Sequence, residues 1–169
     1  MPYTKDGRRV DLMLNMLAVI NRTTSAVLSE LFITGCAYKV RLKMKELPTY
    51  KEKEKLLLDF IGEFSEKEML TVKKDIEKLK GKAREKYIDD TIEDGIYIHQ
   101  PPIGEDIPIF YRCINCRKKF DFLQPDDVYI RKYGREIKML QKQWVGSMYI
   151  VKLNLTSLNP LNCWKVFIE

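Results

Sequence analysis

The stretch TYKEKEKLLLDFIGEFSEKEMLTVKKDIEKLKGKAREKYIDD, residues 49–90, decides how the rest of the chain is read. Leu57, Phe60, Ile61 and Phe64 recur at three- and four-residue spacing, the period of one face of an α-helix. Ser65 followed by Glu68 has the S-x-x-E form of a capping box, in which the serine oxygen accepts from the N–H three residues on. The box opens a second helix with the stripe Met69, Val72, Ile76 and Leu79, and Gly81 is expected to fray or bend it. The prediction is a helical hairpin over 49–94. Its KEKEK run at 51–55 reads as a solvated helix face with i,i+4 ion pairs rather than as a binding site.

Outward from the hairpin the pattern changes. Upstream, Lys5-Asp6-Gly7 is turn-prone, and RRVDLML at 8–14 suits a short extended segment. Thr23 or Thr24 can cap a helix running through Cys36, since Leu28, Leu31 and Phe32 share its spacing and Gly35 offers a stop. YKVRLKM at 38–44 fits either a short strand or the tail of that helix. Downstream of Glu93-Asp94-Gly95 the character turns to strand and turn, with Ile96 and Ile98 alternating until Pro101-Pro102 breaks the run. DDVYIRKYGREIKML at 126–140 reads as a β-hairpin about Tyr133-Gly134, and WVGSMYIVKLNL at 144–155 as a further buried strand. Helices followed by a sheet predict an α+β piece, divided into 1–48, a helical 49–94, a β-rich 95–155 and a tail 156–169.

With 169 residues, 45% of them hydrophobic, the chain has enough apolar material for one or two domains with real cores, which excludes disorder throughout. No run of about 18 apolar residues occurs, which argues against a transmembrane span. The N-terminus lacks a basic region followed by an apolar one, so no signal peptide is read there. Cytoplasmic, reducing surroundings and no membrane partner are the expectation. The net charge of +6 is unevenly spread: 8 basic against 4 acidic residues in 1–50, 11 against 11 in Lys51–Asp90, and 11 against 9 in 91–169. The excess lies in the flanks, where it fits a polyanionic partner or ordinary solubility charge.

Two separated segments carry a resemblance. MPYTKDGRRVDLMLNMLAVINRTTSAVLSELF at 1–32 resembles the MPxTxDGxxxDxxLNPxxxPSRMxxGxLLE segment of the β subunit of multisubunit DNA-directed RNA polymerase. WVGSMYIVKLN at 144–154 resembles its VGYMYxLKLxH segment. Met1, Pro2, Thr4, Asp6, Gly7, Asp11, Leu14, Asn15, Arg22, Leu28 and Glu30 fall in register, as do Val145, Gly146, Met148, Tyr149, Lys152 and Leu153. The chain begins after the family's GDKxxxRHGNKG stretch and stops before its HAR motif. The resemblance therefore implies an internal piece of the hybrid-binding region, one part of a split subunit like those of large-phage polymerases, acting in the host cytoplasm if viral. The 49–94 helices fit a place where the family carries variable insertions.

The resemblance also implies roles. Arg22 takes the place of the PSRM arginine, near the triphosphate of the incoming nucleotide, where a guanidinium offers fixed bidentate donors to the charge developing on the leaving pyrophosphate. The family prolines and serine of that loop are replaced here by Met16, Ile20 and Asn21, and the glycine after the arginine by Ala26. Asn15 matches the LN of the motif and is expected to organise the loop through hydrogen bonds. Lys5 and Lys152 are candidate nucleic-acid contacts, or plain surface lysines. The family's catalytic Mg2+ ions are held by the β′ subunit, so the implied partners are β′-like and remaining β-like chains, DNA, RNA and NTP, and the chain alone is not expected to catalyse.

A rival site is Cys113-Ile114-Asn115-Cys116, followed by Arg117, Lys118 and Lys119. One CxxC is half of a tetrahedral zinc site, and Cys36, Cys163 and His99 are single and scattered. The pattern favours reduced, partly buried thiols over zinc, and lacks the strand-to-helix setting of a redox pair. Two function classes remain: a β-like polymerase part, or a noncatalytic nucleic-acid-binding or interaction remnant of a truncated β gene, with or without stabilising zinc.

Overall fold

The computed structural model describes residues 1–15, 17, 19, 26–98 and 108–149, and within these the chain is α+β. A short strand β1 (Pro2–Thr4) is followed by helices α1 (Ala26–Glu46), α2 (Tyr50–Phe64), α3 (Glu66–Lys78), α4 (Lys82–Asp94) and α5 (Ile109–Lys119), then by strands β2 (Val128–Lys132) and β3 (Arg135–Lys138).

The stripe that decides the fold is buried as its spacing requires: Leu57, Phe60, Ile61 and Phe64 line the inner face of α2. Phe60 is fully buried, with Phe64 edge-on at 5.4 Å and Phe120 at 6.4 Å between ring centroids. Burying each such side chain stabilises by about 1.5–3 kcal/mol. Ser65 caps α3, its Oγ accepting the Glu68 N–H at 3.3 Å.

The predicted hairpin is in fact three helices. Gly81 does not merely bend α3: α3 ends at Lys78 with Leu79 as its C-cap, and Gly81 at φ +55° resets the chain into α4. The new helix has its own inner face, Ile88 and Ile92, and packs on α1 and α2. The KEKEK run is a largely solvated helix face as read, with Lys51, Glu52 and Lys55 exposed, but its ion pair reaches another helix. Glu54 makes no neighbour pair within α2 but receives Arg84 of α4 in a bidentate bridge of 2.6–3.0 Å.

Three further expectations are corrected. Gly35 does not stop α1, which continues through Val40 and Met44 to Glu46, so 38–44 is helix tail and not strand. The 95–155 segment, read as β-rich, carries α5, because Ile109, Cys113, Cys116 and Phe120 recur at helical spacing and pack inward. Over 144–149 the second motif segment is not a strand. It lies against α1, three of its backbone groups bonded to side chains, as described below. Residues 150–155 of that expectation, and the capping threonines Thr23 and Thr24, lie outside the described residues.

The hairpin about Tyr133-Gly134 is there, β2 and β3 pairing antiparallel from Lys132↔Arg135 to Tyr129↔Lys138. Both turn residues have positive φ, +52° and +71°, the geometry that suits the right-handed twist of the strands. The third strand comes from the far end of the chain: β1 pairs antiparallel with β2, Pro2↔Ile130 through Thr4↔Val128. No helix among the described residues is long and apolar enough to cross a membrane.

Candidate functional site

The start of the chain is folded back on itself. Gly7 at φ +82° closes a turn in which its N–H reaches the Thr4 carbonyl at 2.9 Å, and the Val10 N–H returns to the Pro2 carbonyl at 2.9 Å. Thr4 is 1% exposed, and its hydroxyl staples the turn by accepting the Arg8 N–H at 3.2 Å. The spelling PYTKDG thus makes a compact loop whose first strand is locked into the sheet, and Arg8 to Leu14 leave it along one wall of a cleft.

Trp144–Met148 also line this cleft, and the segment through Tyr149 is hereafter the strap. It is seated on α1 by glycines. A Cβ on Gly146 would meet the Leu31 carbonyl oxygen, the Thr34 hydroxyl at 2.6 Å and the Gly35 nitrogen at 2.9 Å. A Cβ on Gly35 would stand 2.7 Å from the Val145 carbonyl oxygen. Around this backbone contact the strap's polar groups find side chains. Thr34 Oγ1 donates to the Ser147 carbonyl at 2.7 Å, Arg8 Nη2 to the Val145 carbonyl at 3.1 Å, and the Tyr149 N–H to Glu30 Oε1 at 3.1 Å. Trp144 packs on Phe32 with centroids 4.6 Å apart. The cleft has a volume of about 560 Å³ and is lined by Val10, Leu12, Met13, Leu28, Leu31 and Trp144 with Arg8, Arg9 and Asp11 at its polar side.

An ionic cluster gathers around the cleft-lining Arg8. Asp126 accepts Lys39 at 2.9 Å and faces Arg8 at 3.7 Å, and the Arg8 guanidinium lies 4.0 Å from the centroid of the Tyr38 ring. Lys39 also donates to the Gln124 carbonyl and sits 5.2 Å from the Trp144 ring. These side chains are mostly covered, so the cluster orients the two segments more than it attracts a distant ion. Next to it, Lys138 hydrogen-bonds Asp127 at 3.0 Å and holds that carboxyl below its ordinary value.

Of the residues singled out from sequence, Arg22 and Lys152 lie outside the described residues, as do Cys163 and His99. Asn15 borders the cleft-lining segment, its Oδ1 accepting the Leu17 N–H at 3.0 Å, a local bond that starts a turn. Lys5 is exposed at the N-terminal turn. Cys113 and Cys116 do not line the cleft; they lie on the inner face of α5, with Cys116 hydrogen-bonded to Cys36 of α1. Burial pushes the Cys113 thiol up to about 11, and the bond to Cys36 together with burial pushes Cys116 up strongly. At neutral pH these are core thiols, not thiolates. Among the described residues no group of three or more His, Cys, Asp or Glu is placed to hold a metal.

Sequence reading missed Arg8, Lys39, Asp126, Gly35 and Trp144. Of these only Arg8 and Trp144 gave a signal, by standing inside the two quoted segments. No protein-family model matches the chain, and no curated protein matches it.

Proposed function

We propose that this chain is one part of a DNA-directed RNA polymerase β-like subunit, contributing to DNA-templated RNA synthesis beside β′-like and further β-like chains. What supports the reading is a single observation. The two segments that resemble the family's motifs, more than a hundred residues apart in sequence, line one cleft and are joined by a bond between motif positions and a close backbone contact. Glu30 receives the Tyr149 N–H, and Gly146 lies against the backbone of Leu31 and Gly35.

In this reading Arg22 neutralises the triphosphate of the incoming NTP, Asn15 shapes the loop before it, and Lys5 and Lys152 touch the nucleic-acid backbone. The Mg2+ ions of nucleotidyl transfer belong to a partner chain. Asp126 and Asp127 do not fit them, since Lys39 with Arg8 and Lys138 already occupy those carboxylates. Primer extension by the assembled complex tests the reading: Arg22→Ala is expected to lower nucleotide addition by about a hundredfold, the scale of one lost charge-stabilising donor. Full activity in the variant would remove Arg22 from the reaction. The second reading, a noncatalytic interaction module, draws on the closed helical core around Phe60, which needs no other chain to be buried.

A further inference from the structure

One face of the sheet carries the cleft's apolar surface outward. Val128, which lines the cleft, shares its face with Thr4, Ile130, Lys132, Arg135 and Ile137, while Tyr3, Tyr129, Arg131, Glu136 and Lys138 take the other. Arg9 bridges to Tyr3 and the Val10 N–H reaches the Pro2 carbonyl, so Val10, Pro2, Ile130 and Ile137 form one apolar row across the sheet. The row is open at its outer end, where Ile137 is 52% exposed, and the cleft residues Leu12 and Met13 are 52% and 57% exposed.

Two residues further along the hairpin, about 7 Å at the rise of a strand, the row gives way to Lys132 and Arg135, which face each other in register. Both are exposed, and neither enters an ion pair among the described residues. The one acid within the three strands, Glu136, points to the other face and accepts the Tyr3 hydroxyl. Acids nearer the cleft are occupied too: Asp11 bonds Arg9 at 2.7 Å and Asp126 bonds Lys39 at 2.9 Å. The surface is therefore apolar at one end and positive at the other, with no acid free to neutralise it from within that face.

We propose that this surface, the cleft with its apolar row and the Lys132 and Arg135 pair, docks a segment of a partner protein that carries apolar side chains and an acidic end. Contiguous apolar area this open is desolvated by a partner that covers it, and the two unpaired cations set the sign of the charge that lies beside it. A nucleic acid would meet the cations and leave the apolar row uncovered, and the row spans more strands than a single acyl chain covers. The chain's own residues 150–169 hold Lys152 and Lys165 against Glu169, a net charge of the wrong sign for this site. The inference stands on the surface alone and does not depend on the polymerase reading.

The test is selection of random dodecapeptides displayed on phage against the immobilised full chain, with the affinity of the selected consensus peptide read by fluorescence anisotropy. The expected consensus has several apolar residues with Asp or Glu at one end. The charge-reversed variant Lys132→Glu/Arg135→Glu is expected to select Lys or Arg at that end instead, a switch that a merely structural role of the pair would not produce. Ile137→Asp is expected to bind the wild-type consensus at least about tenfold more weakly. Lys132→Gln/Arg135→Gln is expected to bind it about fivefold more weakly at about 50 mM salt, the difference shrinking toward about 200 mM. A control on the helical body, Lys74→Glu/Lys82→Glu, should select and bind as wild type, and all variants should melt within a few degrees of it. Absence of enrichment, a consensus without acids, unchanged selection by the charge-reversed variant, or unaltered binding by Ile137→Asp would each overturn the proposal. So would equal competition by oligo-dT or by a synthetic peptide of residues 150–169. A chain that selects acidic, apolar peptides yet captures no polymerase subunits would sink the polymerase reading and leave this one standing.

Discussion

The helical body and the strap are both packed against α1, by opposite means. In the body, α2, α4 and α5 bring Phe60, Ile88 and Cys116 to zero exposure by interlocking side chains. The strap brings backbone to backbone: two glycines, Gly35 and Gly146, admit the approach, and Thr34, Arg8 and Glu30 answer the strap's polar groups. Side-chain packing tolerates swaps of similar volume, whereas a backbone contact tolerates no added Cβ. The spelling of the strap is therefore more tightly bound to its partner helix than the spelling of the body is to its own core.

The comparison breaks first if the body is not the main source of stability. Phe60→Ala is expected to cost about 4 kcal/mol and to lower Tm by roughly 10 °C in calorimetry, with the whole chain destabilised. A loss below about 1 kcal/mol would mean that the helices do not share one core. Next comes Gly146→Ala, expected to cost about 2–3 kcal/mol by overpacking against Leu31 and Gly35. Because the strap is seated from outside, far-UV circular dichroism should keep its helical signal while Trp144 emission, read in a Trp164→Phe background, shifts to the red. An unshifted Trp144 would mean that the strap is not held by its glycine.

Smaller effects sharpen the picture. Ser65→Ala removes the cap of α3 and is expected to cost about 1 kcal/mol in urea denaturation. The smallest expected effect is with pH. The Asp127 carboxyl is held low by its bond to Lys138, so its contribution is present above the unfolded carboxylate value of about 4 and fades as pH falls through the lower folded value. Asp127→Asn should erase that part of the acid limb. The exposed setting keeps the effect small and sensitive to salt.

Much of the fold was legible because it rests on local rules. The α2 stripe, the Ser65–Glu68 box and the Tyr133-Gly134 turn each lie within a few residues of sequence, and each is where its chemistry puts it. The misses share a cause, contacts that sequence does not display. Gly35 looked like a helix stop, yet its missing side chain makes room for a strap more than a hundred residues away. The strap looked like a strand because it is apolar, but its Ser147 carbonyl and Tyr149 N–H bond to α1 side chains in place of a neighbouring strand. Cys113 and Cys116, favoured from sequence as buried thiols over zinc ligands, are buried thiols, but the helix α5 whose inner stripe they form went unread. The ionic cluster of Arg8, Lys39 and Asp126 gathers three distant stretches, and no one of them marks it.

In the proposed reading the two motif segments work as one unit within a larger enzyme. The most direct measurement is capture of tagged chain from its native source, with mass spectrometry of what is retained, for wild type and Gly146→Val side by side. The account predicts that wild type retains β′-like and further β-like polypeptides and that Gly146→Val, its strap unseated, loses them. Wild-type chain that retains no polymerase subunit would contradict it.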